Sequence, residues 1–508
     1  MGGNQPQYAA RLGSGVSGLD EILNGGLPRN HHYLLEGESG TGKTTIGMQF
    51  LLEGLRAGEK TLLITLAEGA AELSEVARSH GWVLDGVEIF ELPPLEAAQQ
   101  LDNQQSIFPT AEFELSEATD RIVELLRQSR PQRVVFDSVS ELRLLAADPA
   151  RFRRQMLALS AVLDEIEATS IFVDRPLREA DDRVLDSLVH GIIHLERRAP
   201  DYGATRRRLE VSKMRGITYQ GGWLDFGIFS GGVQVYPRPQ AEAVRGRDTW
   251  EQISSGLPAL DMLVSGGLEL GTACLIGGAS GTGKSSVAGL YVHSALQRGI
   301  PAATLLFDER PETLYKRTED LHMPLRSYVE QGLLTVRQIE TGEISPGEFA
   351  QYLRDLAENA GVRVLVIDSL TGYLRAMPQE NLLMNQMHDL LNYLSRNGVL
   401  SIMVVTYHGL LGETMEQGLD LSYLSDTVIN TRHFEAGGAL HQAISVVKKR
   451  HGPHERTIRE LLVEPGGVRV GEPLVAFRGV LTGNPEYEGR LEALMQRRID
   501  EIDGGEAA

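Results

Sequence analysis

Two copies of the same series of short motifs follow one another along this chain of 508 residues. The segment Ser14–Asp20 returns as Ser255–Asp261, and the glycine-rich run that ends at Lys43 returns in the run that ends at Lys284. Both pairs are separated by 241 positions, an agreement that chance does not produce over several landmarks. We therefore interpret the chain as two homologous domains. The expected limits are 1–240 for the first domain, 246–485 for the second, and 486–508 for a short helical or flexible tail.

Short apolar runs alternate with helical patterns in each copy, which is typical of a mostly parallel sheet flanked by helices. In the first copy these runs include Tyr33–Glu36, Val134–Phe136 and Ser170–Val173, and their near-continuous apolar character fits strands buried on both faces. A later succession of turns and strands, 209–236 and 443–470, predicts antiparallel additions at the edge of each sheet. The predicted fold class is therefore α/β, with this architecture twice in tandem.

Each copy contains a complete phosphate-binding loop. Residues Gly37–Thr44 and Gly278–Ser285 both fit the pattern G-x-x-x-x-G-K-[ST], and each follows a predicted strand and precedes a helical pattern. Glycines let backbone amides surround the phosphates, the helix amino terminus adds its dipole, and the lysine neutralises the β- and γ-phosphate oxygens. The sequence therefore predicts two sites for a nucleoside triphosphate. The first comprises Gly37, Ser39, Gly40, Thr41, Gly42, Lys43, Thr44 and Thr45, and the second Gly278, Ser280, Gly281, Thr282, Gly283, Lys284, Ser285 and Ser286.

A carboxylate that can hold the Mg²⁺ of Mg·ATP is expected at the end of an apolar strand that follows each loop. Asp137 and Asp368 both stand at the end of such a run. An Asp in this place can also be a simple helix cap, but its recurrence behind both loops favours the metal role. The predicted Mg²⁺ ligands are Thr44 and Asp137 in the first copy, and Ser285 and Asp368 in the second.

Hydrolysis of ATP also needs a group that orients or deprotonates the attacking water. Glu68 and Glu309 follow equivalent apolar runs, 241 positions apart, and are predicted catalytic carboxylates. Asp308 stands beside Glu309 and shares the prediction, whereas Ala67 occupies the matching place in the first copy. The alternative is that these acidic residues only favour the first turn of the following helix.

The overall charge argues against polyanions as partners. The chain has 49 Lys and Arg against 69 Asp and Glu, a net charge of −20, so its field repels nucleic acid and anionic membranes. The single cysteine, Cys274, excludes an intrachain disulfide and a cysteine-rich zinc site. The first 15 residues lack the apolar core of a signal peptide, and no stretch approaches the roughly 20 apolar residues that span a bilayer. We therefore expect a soluble, cytoplasmic protein.

With these motifs the chain resembles the KaiC-like ATPases of the RecA superfamily over essentially its whole length. The resemblance rests on the Ser-Gly-x-x-x-Leu-Asp lead-in, the Gly-Thr-Gly-Lys loops, the strand-end carboxylates and two Lys-x-Arg elements. It implies two tandem RecA-like P-loop NTPase domains in a homo-hexameric double ring, with ATP bound between neighbouring subunits. It also implies that each Lys-x-Arg element reaches the neighbour's γ-phosphate, although a solvated basic strand end is the alternative. The residues concerned are Lys213 and Lys448 as nucleotide contacts, and Arg215 and Arg450 as catalytic groups.

The resemblance extends to phosphorylation. Clock members of the family autophosphorylate two adjacent hydroxyl residues in the second domain, and the matching positions here are Ser422 and Tyr423. These two residues are thus candidate sites of a serine/threonine autokinase activity, or else polar residues of a subunit interface. Tyr423 stands where the clock proteins have threonine, and Ala67 stands where they have the first of two glutamates. A conventional two-site cycle is therefore in question, and slow hydrolysis is expected at the first site.

Three functions stay open on the sequence. The first, which we favour, is a signalling or clock-type ATPase with signalling proteins as partners. The second is a DNA-dependent ATPase of the RecA or RadA type, used in recombination or unwinding, which needs basic, partly aromatic loops facing a pore. The basic clusters at 151–154, 206–208 and 448–450 are short for that purpose. The third is an ATP-locked scaffold that does not hydrolyse, which Ala67 suggests for the first ring alone.

Overall fold

The computed structural model describes residues 10–66, 68–92, 110–146, 148–176, 184–199, 203–240, 251–340, 342–376, 383–407, 421–480 and 486–487. The chain divides into two compact units, residues 1–238 and 239–508, and each is built on a nine-stranded sheet. Ala67, and the predicted tail apart from Glu486–Tyr487, lie outside the described residues.

The first unit alternates strands and helices from Arg11 to Val235. Its strands are β1 (Arg11–Leu12), β2 (Leu27–Pro28), β3 (His32–Gly37), β4 (Thr61–Thr65), β5 (Val87–Glu91), β6 (Arg133–Asp137), β7 (Thr169–Asp174), β8 (Gly191–Arg198), β9 (Arg206–Met214), β10 (Leu224–Phe229) and β11 (Gly232–Val235). Its helices are α1 (Leu19–Ile22), α2 (Lys43–Arg56), α3 (Ala70–Ser79), α4 (Thr110–Ser129), α5 (Val139–Ala146), α6 (Pro149–Glu165) and α7 (Val184–Leu188).

The second unit repeats that succession. Its strands are β12 (Gln252–Ile253), β13 (Leu268–Glu269), β14 (Ala273–Gly278), β15 (Ala302–Leu306), β16 (Leu334–Gln338), β17 (Val364–Asp368), β18 (Leu400–Thr406), β19 (Thr427–Ala436), β20 (Ala439–Lys449), β21 (Arg459–Glu464), β22 (Gly467–Pro473), β23 (Phe477–Arg478) and β24 (Glu486–Tyr487). Its helices are α8 (Pro258–Leu263), α9 (Lys284–Gln297), α10 (Pro311–Asp320), α11 (Arg326–Glu330), α12 (Pro346–Glu358), α13 (Leu370–Ala376) and α14 (Leu383–Arg396), and Leu421–Leu424 form a 3₁₀ turn.

The two large sheets have the same topology. The first has the strand order β5-β4-β6-β7-β3-β8-β9-β10-β11, and the second has the order β16-β15-β17-β18-β14-β19-β20-β21-β22. The first six strands of each order run parallel, and the last three continue the sheet antiparallel. The predicted α/β class and the predicted antiparallel additions are therefore confirmed.

Apolar side chains on both faces explain why the central strands read as continuous hydrophobic runs. In β6, Val134 and Phe136 face the layer of α4, α5 and α6, whereas Val135 faces α2 and α3. In β17, Val366 and Ile367 likewise belong to opposite apolar layers. Each such side chain, when fully buried, contributes about 1.5–3 kcal/mol to the free energy of folding.

The parallel strands bring the predicted site residues to one end of each sheet. Thr65 pairs with Asp137, and Glu36 pairs with Asp174, so the carboxyl ends of β3, β4, β6 and β7 are aligned. In open α/β sheets this end carries the ligand crevice. Within the described residues, no helix combines the length and the apolar character needed to cross a bilayer.

Candidate active sites

The first phosphate-binding loop joins β3, which ends at Gly37, to α2, which begins at Lys43. Gly40 and Gly42 have φ angles of 75° and 99°, a region open to glycine but costly for other residues. The Lys43 Nζ folds over the loop and donates to the carbonyl oxygens of Gly37 at 2.6 Å and Glu38 at 2.9 Å. The loop therefore presents the free amides of the helix amino terminus beside a cation, which is the arrangement that binds phosphate.

The second loop repeats this geometry between β14 and α9. Lys284 Nζ donates to the Ala279 carbonyl oxygen at 2.6 Å. Thr282 Oγ1 donates to the same oxygen at 2.9 Å, as Thr41 Oγ1 does to Glu38 at 2.8 Å in the first loop. The remaining predicted loop residues have equivalent settings in the two copies: Ser39 and Ser280 are exposed, Thr45 and Ser286 are buried in the first helical turn, and Gly281 and Gly283 have positive φ angles.

The two strand-end aspartates meet the hydroxyl group that follows the loop lysine. Asp137 accepts a hydrogen bond from Thr44, and Asp368 accepts one from Ser285. Burial raises the pKa of both carboxyls, against the lowering effect of these hydrogen bonds and of the nearby lysines. Among the described residues, Asp137 Oδ2 is buried with no hydrogen-bond partner. A buried carboxylate oxygen without a partner, next to a hydroxyl group, fits the hard oxygen ligands that Mg²⁺ prefers.

Glu68 lies at the same end of the first sheet, just beyond β4. Its backbone amide donates to Thr65 Oγ1 at 3.2 Å, and Thr65 Oγ1 donates to its carbonyl oxygen at 2.5 Å. Burial raises the pKa of the Glu68 carboxyl, Asp137 and Glu72 raise it further, and Lys43 lowers it. A carboxylate with a raised pKa beside the phosphate loop is suited to accept a proton from water.

Asp308 and Glu309 lie at the corresponding place in the second sheet, but both are held by side chains. Ser369 Oγ donates to Asp308 Oδ2 at 2.5 Å. The two terminal nitrogens of Arg317 donate to the two carboxylate oxygens of Glu309 at 2.6 and 2.7 Å. Arg317 was not predicted from the sequence, because it lies eight residues beyond Glu309, in the last turn of α10.

The Lys-x-Arg elements lie at the other end of the sheets. Lys213 pairs with Ile192 at the start of β8, which lies beside the amino end of β3. Its Nζ donates to the carbonyl oxygens of Asp186 and, at 2.8 Å, Val189. The length of β3, roughly 15–20 Å at the rise of a strand, therefore separates this element from the loop of its own unit. Arg215, which follows Lys213 by two residues, is exposed.

Lys448 and Arg450 repeat this placement in the second unit. Lys448 pairs with Val428 at the start of β19, beside the amino end of β14. Its Nζ donates to the carbonyl oxygens of Ser422 at 2.7 Å and Ser425 at 2.8 Å. The Arg450 guanidinium donates to Asp426 Oδ1 at 3.2 Å. In neither unit does the structure bring the Lys-x-Arg element to the loop of the same unit.

The two candidate phosphorylation sites lie in the 3₁₀ turn next to the second element. Ser422 is half-buried, and 46% of Tyr423 is exposed to solvent. They share the amino end of β14 with Lys448, so the sheet separates them from Lys284 of their own unit.

Comparison with known proteins places this architecture in a family. The family model described as ATPase: KaiC matches residues 12–240 and 253–475, one match for each sheet. The chain belongs to the KaiC family of ATPases. The predicted resemblance is therefore confirmed.

Among curated relatives, this KaiC-family chain is 26% identical over 482 residues to the circadian clock oscillator protein KaiC of a Picosynechococcus species, covering 92% of this chain and 91% of that protein. It is 26% identical over 494 residues to the protein of the same name from Synechococcus elongatus, covering 95% and 93%. It is 24% identical over 500 residues to circadian clock protein KaiC3 of a Synechocystis species, covering 95% and 96%.

Two further side chains in this KaiC-family chain lie against the phosphate loops and were not predicted. Arg197 extends over the first loop, with one terminal nitrogen 3.2 Å from the point where a Cβ on Gly40 would stand. His433 contacts the second loop, with Nε2 3.2 Å from the Ser280 carbonyl oxygen. Both stand two residues beyond the partner of the loop's first glycine, on β8 and β19 respectively. This shared position could have identified both residues, but it becomes known only once the strand pairing is known.

Proposed function

We propose that each unit binds Mg·ATP in its phosphate-binding loop and hydrolyses it. The observation that carries the proposal is the repeated pairing of a complete loop with a buried carboxylate, Asp137 with Thr44 and Asp368 with Ser285. Membership of the KaiC ATPase family supports it. A chance glycine-rich turn would not be accompanied twice by the same buried acid.

The residues of each site have complementary roles in this chemistry. Loop amides hold the phosphates, Lys43 and Lys284 neutralise their charge, and Mg²⁺, when bound through Asp137 or Asp368, supplies further charge neutralisation. Glu68 in the first site and Glu309, assisted by Asp308, in the second accept a proton from water. The water oxygen bonds to the γ-phosphorus, the bond from that phosphorus to the β–γ bridging oxygen breaks, and ADP and phosphate leave.

We further propose that the working form is a homo-hexameric ring with ATP between neighbours. Support comes from the placement of Lys213 and Lys448 at the end of the sheet opposite to their own loops. A cation there lies too far from the nucleotide of its own unit, and we infer that it contacts a nucleotide bound by an adjacent copy of the chain. Arg215 and Arg450, two residues further on, would then stabilise the charge that develops on the neighbour's γ-phosphate.

Transfer of the γ-phosphate to a protein hydroxyl is the second reaction proposed for the second site. Ser422 Oγ would bond to the γ-phosphorus of ATP held by a neighbouring chain, and the bond from that phosphorus to the β–γ bridging oxygen would break. Glu309 of that neighbour would accept the hydroxyl proton, and ADP would leave. The position of Ser422 beside Lys448 supports this reaction, and the exposure of Tyr423 leaves its phenol accessible as an alternative acceptor. Such a modification would suit a signalling or clock-type regulator that acts on partner proteins.

Loss of each loop lysine tests the proposal. Lys43→Ala and Lys284→Ala should each remove one of two nucleotides retained per chain, and the double variant should remove both, because the ammonium group neutralises the phosphates. Filter retention of radiolabelled ATP and release of phosphate measure the outcome. Lys60→Ala and Lys316→Ala, which change exposed lysines outside the loops, are controls expected to behave as the parent. Unchanged retention in the double variant would refute the proposal.

A further inference from the structure

One difference between the two sites is an ion pair in the second. Arg317 binds Glu309 with both terminal nitrogens, and the two side chains are 28% and 19% exposed. A bidentate, partly buried pair of this kind is strong and geometrically fixed. It engages both carboxylate oxygens, the atoms that would otherwise accept a proton from water.

Among the described residues, the first site has no cation equivalent to Arg317. Helices α3 and α10 occupy matching places 241 positions apart, and Val76 stands where α10 has Arg317. Val76 is half-buried and packs against the apolar layer beside α2. Glu68, the counterpart of Glu309, faces the acidic Asp137 and Glu72, with Lys43 of the loop as the cation in its surroundings.

The other charged groups near Glu309 form hydrogen bonds with other residues. Asp308 accepts a hydrogen bond from Ser369 Oγ. Asp368, which lies near both Glu309 and Arg317, accepts a hydrogen bond from Ser285, and Lys284 folds over the phosphate loop. Within the described part of the chain, Arg317 is thus the group in direct contact with the Glu309 carboxylate oxygens.

We propose that Arg317 is a positioning residue that restrains Glu309, so that the second site turns over ATP more slowly than its other groups would allow. The inference rests on the proposed function, since it takes Glu309 as the group that receives a proton from water. The carboxylate can act only when the ion pair opens or rotates. The first site, which has valine at this place, is free of the restraint.

Exchange of the two residues tests the inference in the full-length chain. In a Lys43→Ala background, where only the second loop binds, Arg317→Val should raise kcat for ATP by about threefold to tenfold and leave KM within about twofold. Arg317→Lys should give an intermediate kcat, because lysine keeps the charge but not the two parallel hydrogen bonds. In a Lys284→Ala background, the reverse change Val76→Arg should lower first-site kcat by a similar factor.

The possible results separate this inference from the proposed function. The proposed restraint would be overturned if the Lys43→Ala chain hydrolyses ATP and its folded Arg317→Val derivative has the same kcat or a lower one. If Arg317→Val fails to fold, as judged by its thermal unfolding, Val76→Arg decides, and an unchanged first-site kcat would overturn it. Absence of turnover in both the Lys43→Ala chain and its Arg317→Val derivative, with ATP still retained, would refute hydrolysis at the second site itself.

Discussion

At the scale of single residues, the surroundings of Glu68 determine how the first site responds to pH. Burial, Asp137 and Glu72 raise the pKa of this carboxyl, and Lys43 lowers it. A base acts only when it has lost its proton, so first-site hydrolysis should fall as the pH drops through a pKa above that of an exposed glutamate. The kcat of a Lys284→Ala chain measured against pH gives this value.

Glu72→Gln provides the matched variant, because it removes one negative neighbour and keeps the size of the side chain. The acidic limb of the pH profile should then move to lower pH. Glu68→Gln should lower kcat by about 100-fold across the whole range. An acidic limb that stays in place when Glu72 is changed would assign the titration to another group.

The buried Asp137 carboxylate lowers the stability of the protein without ligand, although we propose that it helps to bind Mg²⁺. Its pKa is raised mainly by burial, so folding favours its protonated form. The stability that this provides is fully present below the unfolded-state pKa and is lost as the pH rises through the higher folded-state value. At neutral pH the charged group therefore destabilises the protein without ligand.

Asp137→Asn removes that charge in nearly the same volume. Without Mg²⁺, the free energy of unfolding of the first unit should rise, because the buried charge is removed, and its calorimetric transition should move to higher temperature. The added stabilisation by Mg·ATP should be lost from the same transition. A variant that kept the Mg·ATP effect would exclude Asp137 as a metal ligand.

The sequence predicted the phosphate loops because all their groups lie within nine consecutive residues. Asp137 and Glu68 were also predictable, since each follows an apolar run directly. Arg317, Arg197 and His433 were not, because each reaches its site from a different turn or strand. Whether Asp137 and Glu68 act as proposed is decided by the variants above.

At the scale of elements, the contact between β14 and β19 limits what the start of the second loop can tolerate. A Cβ on Gly278 would lie 2.3 Å from the Thr431 carbonyl oxygen and 2.8 Å from Thr282 Oγ1. Backbone cannot move away as the end of a flexible side chain can, so Gly278→Ala should destabilise the second unit by about 1–3 kcal/mol and weaken nucleotide retention.

Gly289→Ala is the control for this change. Gly289 lies inside α9, where a Cβ would meet Met323 at 3.6 Å and Thr318 at 4.0 Å, both ordinary contacts. Alanine favours a helix, so this variant should gain up to about 1 kcal/mol. Urea unfolding of the two variants provides the comparison, and equal stability for both would show that β14 and β19 are not tightly joined at Gly278.

Element order followed from the alternation of apolar runs and helical patterns, and the antiparallel strands followed from the later turns. The location of Lys213 and Lys448 could not be predicted from these patterns, because it depends on which end of β8 and β19 pairs with β9 and β20. A sequence records the order of residues along a strand but not the partner strand. The separation of these lysines from their own loops therefore became evident only with the register.

At the scale of the whole molecule, the duplication gives two units of one topology that differ in detail at their sites. Lys43 and Lys284 occupy equivalent places, yet Glu68 is surrounded by acids and Glu309 is paired with Arg317. Homology between repeats thus predicts the fold of each unit better than the charged surroundings of its proposed catalytic carboxylate. The sites must be measured one at a time, with the other loop disabled.

If each arginine acts on the ATP of a neighbouring chain, two inactive variants should recover activity when they are mixed in one ring. Both variants carry Lys284→Ala, which disables the second loop. One variant also carries Lys43→Ala and lacks a working first loop. The other also carries Arg215→Ala and lacks the arginine of the first unit. Each should be inactive alone.

In rings assembled from equal amounts of both variants, about one quarter of the interfaces join an intact loop to an intact arginine from the neighbour, so hydrolysis should return to about that fraction. Arg121→Ala in place of Arg215→Ala should stay active without mixing, because Arg121 is exposed on α4, where it pairs with Glu117 of the same helix. Mixed rings that stay inactive, or Arg215→Ala chains that are fully active alone, would show that the arginine does not act across the interface.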